Sequence, residues 1–228
     1  MLEVFRKEIK YSASFIDFYQ AKPLLGAGLT LDPHCTNDDG YSVRSLYFDS
    51  ACDDDLFDVL SGLLNKQKIR LRCYDPDDAV FKLEHKCKTG TDSIKQSIPI
   101  SRSKARELAQ GRFHVLSALP GDTAKELYAR MKMGVYQPRV VVNYQRIAYF
   151  SPLNDIRVTF DYDVRASFSP SALFDNYAAF EPVMEPCTGV LEVKYNNFLP
   201  SYLMTILGGF NALAVSNSKY MQARLLLQ

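Results

Sequence analysis

Lys68-Ile69-Arg70-Leu71-Arg72 sets a cation at every second position, with an apolar residue between each pair. A β-strand sends alternate side chains to opposite faces, so Lys68, Arg70 and Arg72 would share one face while Ile69 and Leu71 pack on the other. Like charges side by side repel, and such a face is favourable only when something strongly anionic lies against it. Phosphate fits this best: arginine forks onto two oxygens, and lysine adds a compact point charge. Other segments show the same alternation. Arg6, Glu8 and Lys10 share a face, as do Lys82, Glu84, Lys86 and Lys88. So do Tyr144 with Arg146, Arg157 with Thr159 and Asp161, and Glu192 with Lys194. One charged strand face is ordinarily just the solvated side of a sheet. Six of them, with apolar residues opposite, suggest a sheet that packs its apolar face under helices and turns its charged face inward. Such an interior cannot stay dry, because burying unpaired charge is too costly. It would hold water and a polyanion, and its carboxylates could carry a divalent cation that bridges phosphates.

The elements that must position these residues read as strands at about 4–12, 42–49, 67–74, 79–88, 94–100, 138–150, 155–166 and 188–195. Helical patterns fall at 15–22 after Ser14, ending near Pro23 and Gly26, and at 55–63 after Asp53 or Asp54. Others fall at 102–110 after Ser101, 123–133 after Asp122, 200–209 and 217–227. Helix capping accounts for Asp53-Asp54-Asp55, and Gly208-Gly209 reads as a helix end, not a phosphate loop. About eight largely successive strands predict an antiparallel α+β domain whose sheet closes on itself. At 228 residues the chain can bury a substantial core, and a single domain is expected.

Twenty-seven Lys and Arg against 26 Asp and Glu leave a net charge of +1, which disfavours a general nucleic-acid coat. Any basic site must therefore be local. The five cysteines (35, 52, 73, 87 and 187) form no C-x-x-C pair, so a reducing cytosol is expected and neither a zinc site nor a disulfide framework is. The first residues carry no apolar signal core, and nowhere do eighteen apolar residues run together. A cytoplasmic protein is the expectation. His34, His85 and His114 lack metal-ligand spacing, and His85 falls out of the charged face as a surface or packing residue.

Eight short motifs in order carry a resemblance. They are R-x-E-x-K-Y (Arg6 to Tyr11), S-L-Y-F-D (Ser45 to Asp49), K-I-R-L-R (Lys68 to Arg72), L-E-H-K (Leu83 to Lys86), Y-Q-R (Tyr144 to Arg146), R-V-T-F-D (Arg157 to Asp161), L-E-V-K (Leu191 to Lys194) and S-K-Y (Ser218 to Tyr220). Together the set resembles the VTC domain, the catalytic domain of vacuolar-transporter-chaperone polyphosphate polymerases, within the triphosphate tunnel metalloenzyme superfamily. The resemblance implies an antiparallel β-barrel of about eight strands forming a charged tunnel flanked by helices, as a single domain over residues 1–228. It implies an enzyme that moves the terminal phosphate of ATP onto a growing polyphosphate, with Mn²⁺ or Mg²⁺.

By motif position, the resemblance implies that Lys10, Arg70, Arg72, Lys86, Arg157 and Lys194 bind phosphate oxygens, with Arg6, Lys68, Arg146 and Lys219 as supporting cations. Glu192 resembles the metal-holding carboxylate, Glu8 and Glu84 its helpers, and Tyr144 a hydrogen-bond donor to phosphate. Such a set suits phosphoryl transfer, which needs alignment and charge neutralisation more than a covalent protein group. Two departures stand out. The hydrolase branch opens with E-x-E-x-K, whereas Arg6 takes the first carboxylate position here, which favours the polymerase-like branch. Where relatives carry a basic pair ending in arginine, this chain has Ile94-Lys95-Gln96-Ser97. Without a membrane segment, export or regulation would need a separate membrane partner, with any membrane association peripheral and through that partner. The alternatives are a tripolyphosphatase or nucleoside triphosphatase of the same fold, and a non-catalytic polyphosphate-binding module. A nucleic-acid-binding barrel is disfavoured by the near-zero net charge.

Overall fold

The computed structural model describes residues 6–90, 92–210 and 218–226, with Arg6 described in its backbone only. Its strands are β1 (Arg6–Ser14), β2 (Thr30–Leu31), β3 (Tyr41–Asp49), β4 (Asn65–Cys73), β5 (Val80–Thr89), β6 (Asp92–Ser101), β7 (Gln137–Ser151), β8 (Ile156–Ser167), β9 (Glu181–Pro182) and β10 (Thr188–Asn196). The helices are α1 (Phe15–Gly28), α2 (Asp54–Leu60), α3 (Arg102–Ala109), α4 (Asp122–Met133), α5 (Ser201–Gly208) and α6 (Lys219–Leu225). All eight expected strands are present, and the two-residue β2 and β9 are added.

The fold is α+β, with one antiparallel sheet in the order β1-β10-β8-β7-β3-β4-β5-β6, β2 on β7 and β9 on β8. Closure by hydrogen bonds is where the structure departs from the expected barrel. Among the described residues the order has two ends, β1 and β6, so the sheet is not closed. Pro99 on β6 lies opposite Lys82 and has no N–H to give, which suits it to an edge strand.

The chain packs into two units, one of Met1–Ser42, Tyr144–Val164 and Pro182–Ser218, the other of Val43–Asn143, Arg165–Glu181 and Lys219–Gln228. Each has its own apolar core. In the first, Phe18 and Leu25 of α1 meet Val158 and Phe160 of β8, Leu191 and Val193 of β10, and Leu203 of α5. In the second, Ile69 and Leu71 of β4 and Phe81 and Leu83 of β5 meet Leu108 of α3 and Leu127 and Met131 of α4. The apolar partners of the charged strand residues are therefore buried under helices, as the alternation requires.

Several helix details differ from the sequence expectation. Ser14 caps α1 as expected, its Oγ accepting the Asp17 N–H at 3.0 Å. The helix nevertheless runs through Pro23 to Gly28, because Leu25 and Leu29 bury their side chains on the far side of the proline. Replacing Ser14 with alanine should cost about 1 kcal/mol and lower the melting temperature by about 2–4 °C, whereas Ser14→Asp should hold it; thermal unfolding reads both. Helix α2 is capped from outside the triple aspartate: buried Asp49 accepts the N–H groups of Ser50, Asp55 and Leu56 at 2.7–3.0 Å. Asp53 instead forks onto Arg224 at 2.7–2.8 Å, with a positive φ of 59°. Ser101 makes no side-chain cap bond, and Asp122 is the first residue of α4, after Gly121. The expected helix start near 217 lies partly outside the described residues; α6 begins at Lys219.

Asp55 is buried beside Asp49 and accepts the Tyr136 hydroxyl at 3.0–3.1 Å. Gln67 donates to that same hydroxyl at 2.9 Å and accepts from His85 at 3.1 Å, so His85 is a packing residue. Burial and the Asp49 carboxylate push Asp55 up to about 7. No helix among the described residues is long and apolar enough to cross a membrane.

Candidate functional site

Strand register assembles the charged side chains into cross-strand rows. On the first unit, Lys10 of β1, Glu192 of β10 and Thr159 of β8 stand in one row; Glu8, Lys194 and Arg157 stand in the next. The two carboxylates and two lysines alternate. Lys10 Nζ lies 3.2 Å from Glu8 and 3.3 Å from Glu192, while Lys194 pairs closely with Glu192 and stands 3.8 Å from Glu8. Burial pushes the Glu192 carboxyl up, but the Lys194 and Lys10 ammoniums more than offset it and hold the group at about 2. Glu192 is therefore a fixed anion at any physiological pH. Burial opposes the charge on Lys10 as well, and Glu192 and Glu8 outweigh it, so its pKa is raised.

Two further cations of this unit are held by carboxylates that sequence reasoning did not assign. Arg146 forks onto Asp161 at 2.6 and 2.8 Å, with its guanidinium 5.4 Å from the centroid of the buried Tyr144 ring. Arg157 donates to Asp32 at 2.8 Å and to the Tyr41 hydroxyl at 3.3 Å. His34 also contacts Asp32, at 2.8 Å. Each carboxylate fixes the direction of its guanidinium, which preorganises an anion site. Asp161 was legible as a face-mate of Arg157, but nothing in the sequence ties Asp32 to a residue so far along the chain.

The second unit carries a cation-rich set of rows. Arg70 pairs with Glu84 across β4 and β5, Lys68 with Lys86, and Lys86 with Lys95 of β6. Arg70 Nε donates to Glu84 at 2.7 Å, Arg72 stands 3.7 Å from the same carboxylate, and Lys95 contacts its other oxygen. Burial pushes Glu84 up, and Arg70, Arg72 and Lys95 pull it down to about 2. Lys68, Arg70, Arg72, Lys86 and Lys95 thus gather on one stretch of sheet in a chain of net charge +1. Lys95 lies in the Ile94-Lys95-Gln96-Ser97 stretch of β6.

Tyr47, within the S-L-Y-F-D motif, has a place beside Arg70. Its hydroxyl accepts from Arg70 at 3.2 Å, and its ring stacks on Tyr220 at 5.1 Å. Burial pushes the Tyr47 phenol up, and the Arg70 and Arg72 charges outweigh it, so its pKa is lowered. Lys219, on the first turn of α6, adds to that positive field. Tyr220 donates to Asp49, and Arg224 locks α6 onto Asp53. The Arg6 side chain lies outside the described residues.

The expected site residues divide between the two units. Glu8, Lys10, Tyr144, Arg146, Arg157, Glu192 and Lys194 belong to the first unit; Lys68, Arg70, Arg72, Glu84, Lys86 and Lys219 belong to the second. No cluster of three or more Asp, Glu, His or Cys suited to a metal occurs among the described residues. One observation nonetheless fits a hard cation beside Glu192. The Thr159 hydroxyl, directly across from it, is buried without a hydrogen-bond partner among the described residues.

The fold of this antiparallel α+β sheet recurs in solved structures. A proposed adenylate cyclase from Bacillus halodurans matches with a TM-score of 0.52 and 12% identity, covering 94% of this chain and 95% of that one. A proposed adenylate cyclase from Vibrio parahaemolyticus matches with a TM-score of 0.53 and 10% identity, covering 97% and 98%. No curated protein sequence matches the chain. The VTC domain family matches residues 5–228, and the chain belongs to that family. Family and fold together support a triphosphate-binding protein of the tunnel type.

Proposed function

We infer that this protein is a metal-dependent polyphosphate polymerase, which transfers the terminal phosphate of ATP to a growing polyphosphate chain. The observation that carries the reading is the β4–β5 face, where Arg70, Arg72 and Lys95 converge on Glu84 and Lys68 and Lys86 stand paired in a neighbouring row. Glu84 aims Arg70 within this cation-rich face. A chain of phosphates, with a charge on every unit, is the anion best matched to it.

Arg70, Arg72 and Lys86 then take phosphate oxygens and offset the charge that develops during transfer. Lys68, Tyr144, Arg146 and Lys219 support the same task, and Arg157 is held ready for it by Asp32. Lys10 and Lys194 neutralise Glu8 and Glu192 until substrate arrives, and then turn to its oxygens. Glu192, an anion throughout, holds Mn²⁺ or Mg²⁺, with Glu8 assisting and Glu84 kept for the arginines. The metal, when bound, neutralises phosphate charge and orients the reacting groups. Passage of the product across a membrane would fall to a separate partner protein.

Incubation with ATP and Mn²⁺, with products resolved by length, tests the reading. ADP and a ladder of polyphosphates are expected. Free phosphate without polymer would replace the polymerase with a triphosphatase, and tight binding without turnover would leave a polyphosphate-binding module.

A further inference from the structure

Buried polar atoms in folded proteins nearly always find a partner, so each exception calls for an explanation. Thr159 Oγ1 is such an exception. Its residue is only 3% exposed, and no group among the described residues bonds the hydroxyl. Strand parity turns Thr159 to the same face as Arg157 and Asp161, and register sets it directly opposite Glu192. Side chains so opposed have Cβ atoms about 4.5–5.5 Å apart, close enough for two oxygens to share one small cation.

We propose that the Thr159 hydroxyl is a ligand of the divalent cation held by Glu192, so that the row Thr159–Glu192 forms the protein's side of a metal site. The proposal rests on the triphosphate reading, in which phosphate oxygens and water complete the coordination. Hydroxyl and carboxylate oxygens are the hard donors that Mg²⁺ and Mn²⁺ prefer. The lysines now on Glu192 give way when the cation enters. On this account the hydroxyl is kept at a cost in stability, because an unsatisfied buried group is destabilising.

That cost gives the test two readouts of opposite sign. Thr159→Val keeps the shape and removes the hydroxyl. Followed by electron paramagnetic resonance, it should bind Mn²⁺ about tenfold more weakly. Its melting temperature without metal should rise by about 2–4 °C. Thr159→Ser should keep the Mn²⁺ affinity within about twofold of wild type, since its oxygen remains. The assignment is overturned if Thr159→Val binds Mn²⁺ like wild type, or if its melting temperature falls together with its affinity. Tripolyphosphate titrated separately keeps the two claims apart. Wild type that takes Mn²⁺ but no tripolyphosphate sinks the polymerase reading and leaves the metal ligand standing.

Discussion

Arg70→Ala is expected to weaken triphosphate binding and to cut turnover by about a hundredfold or more. A charge-assisted hydrogen bond contributes roughly 1.5–3 kcal/mol, and Arg70 offers a fork of donors to phosphate. The fold should survive, because Glu84 keeps Arg72 and Lys95 as partners when Arg70 is gone. Arg70→Lys should recover only part of the loss, because an ammonium cannot bond Glu84, the Tyr47 hydroxyl and two phosphate oxygens together. Glu192→Gln is the matching test on the first unit. It removes the anion that stands between Lys10 and Lys194, and should abolish metal-dependent turnover. Binding isotherms and steady-state rates read these effects, and a native circular-dichroism spectrum with a cooperative melt above the assay temperature separates them from unfolding.

The second large effect is on stability against pH. The Asp55 carboxyl rises from an ordinary value near 3.8 to about 7 in the folded protein, through burial and the neighbouring Asp49. The native state therefore holds a proton there that the unfolded state has lost between those values. The stability tied to that proton is full below about pH 4 and is lost as pH rises through about 7. A three-unit difference corresponds to at most about 4 kcal/mol. Asp55→Asn should therefore stabilise the protein at pH 8, since a neutral amide can still accept the Tyr136 hydroxyl. At pH 4 the variant and wild type should differ little. Glu84 and Glu192 act in the opposite sense: both are held at about 2, so their contribution is lost as pH falls from about 4.5 through 2. Chemical denaturation from pH 3 to 9 shows both limbs. A variant whose curve runs parallel to wild type between pH 5 and 8 would contradict the assignment to Asp55.

Local periodicity explains why so much of the sheet was legible. The alternation in Lys68 to Arg72 already implied that Ile69 and Leu71 face the core and Arg70 faces away, and both apolar residues are fully buried. The rows on β1, β8 and β10 follow from the same parity once register is known. Register itself was not legible, because it depends on pairings between distant segments. For that reason Asp32 could not be tied to Arg157, nor Asp49 to Tyr220. The continuation of α1 past Pro23 was hidden for a related reason, since the burial of Leu25 is a tertiary fact. Closure was over-read. Alternating faces show that a sheet has a charged side, but they do not say whether its edge strands meet, and the described pairing ends at β1 and β6. Thr159 was visible as a face-mate of Arg157, but its lack of a partner is visible only in three dimensions.

The most direct test of triphosphate recognition is calorimetric titration of the protein with tripolyphosphate and Mn²⁺ at low and high salt, beside Arg70→Ala. Saturable binding that weakens with salt and drops about a hundredfold or more in the variant is the predicted result. Absence of binding in wild type, or equal binding by wild type and Arg70→Ala, would contradict it.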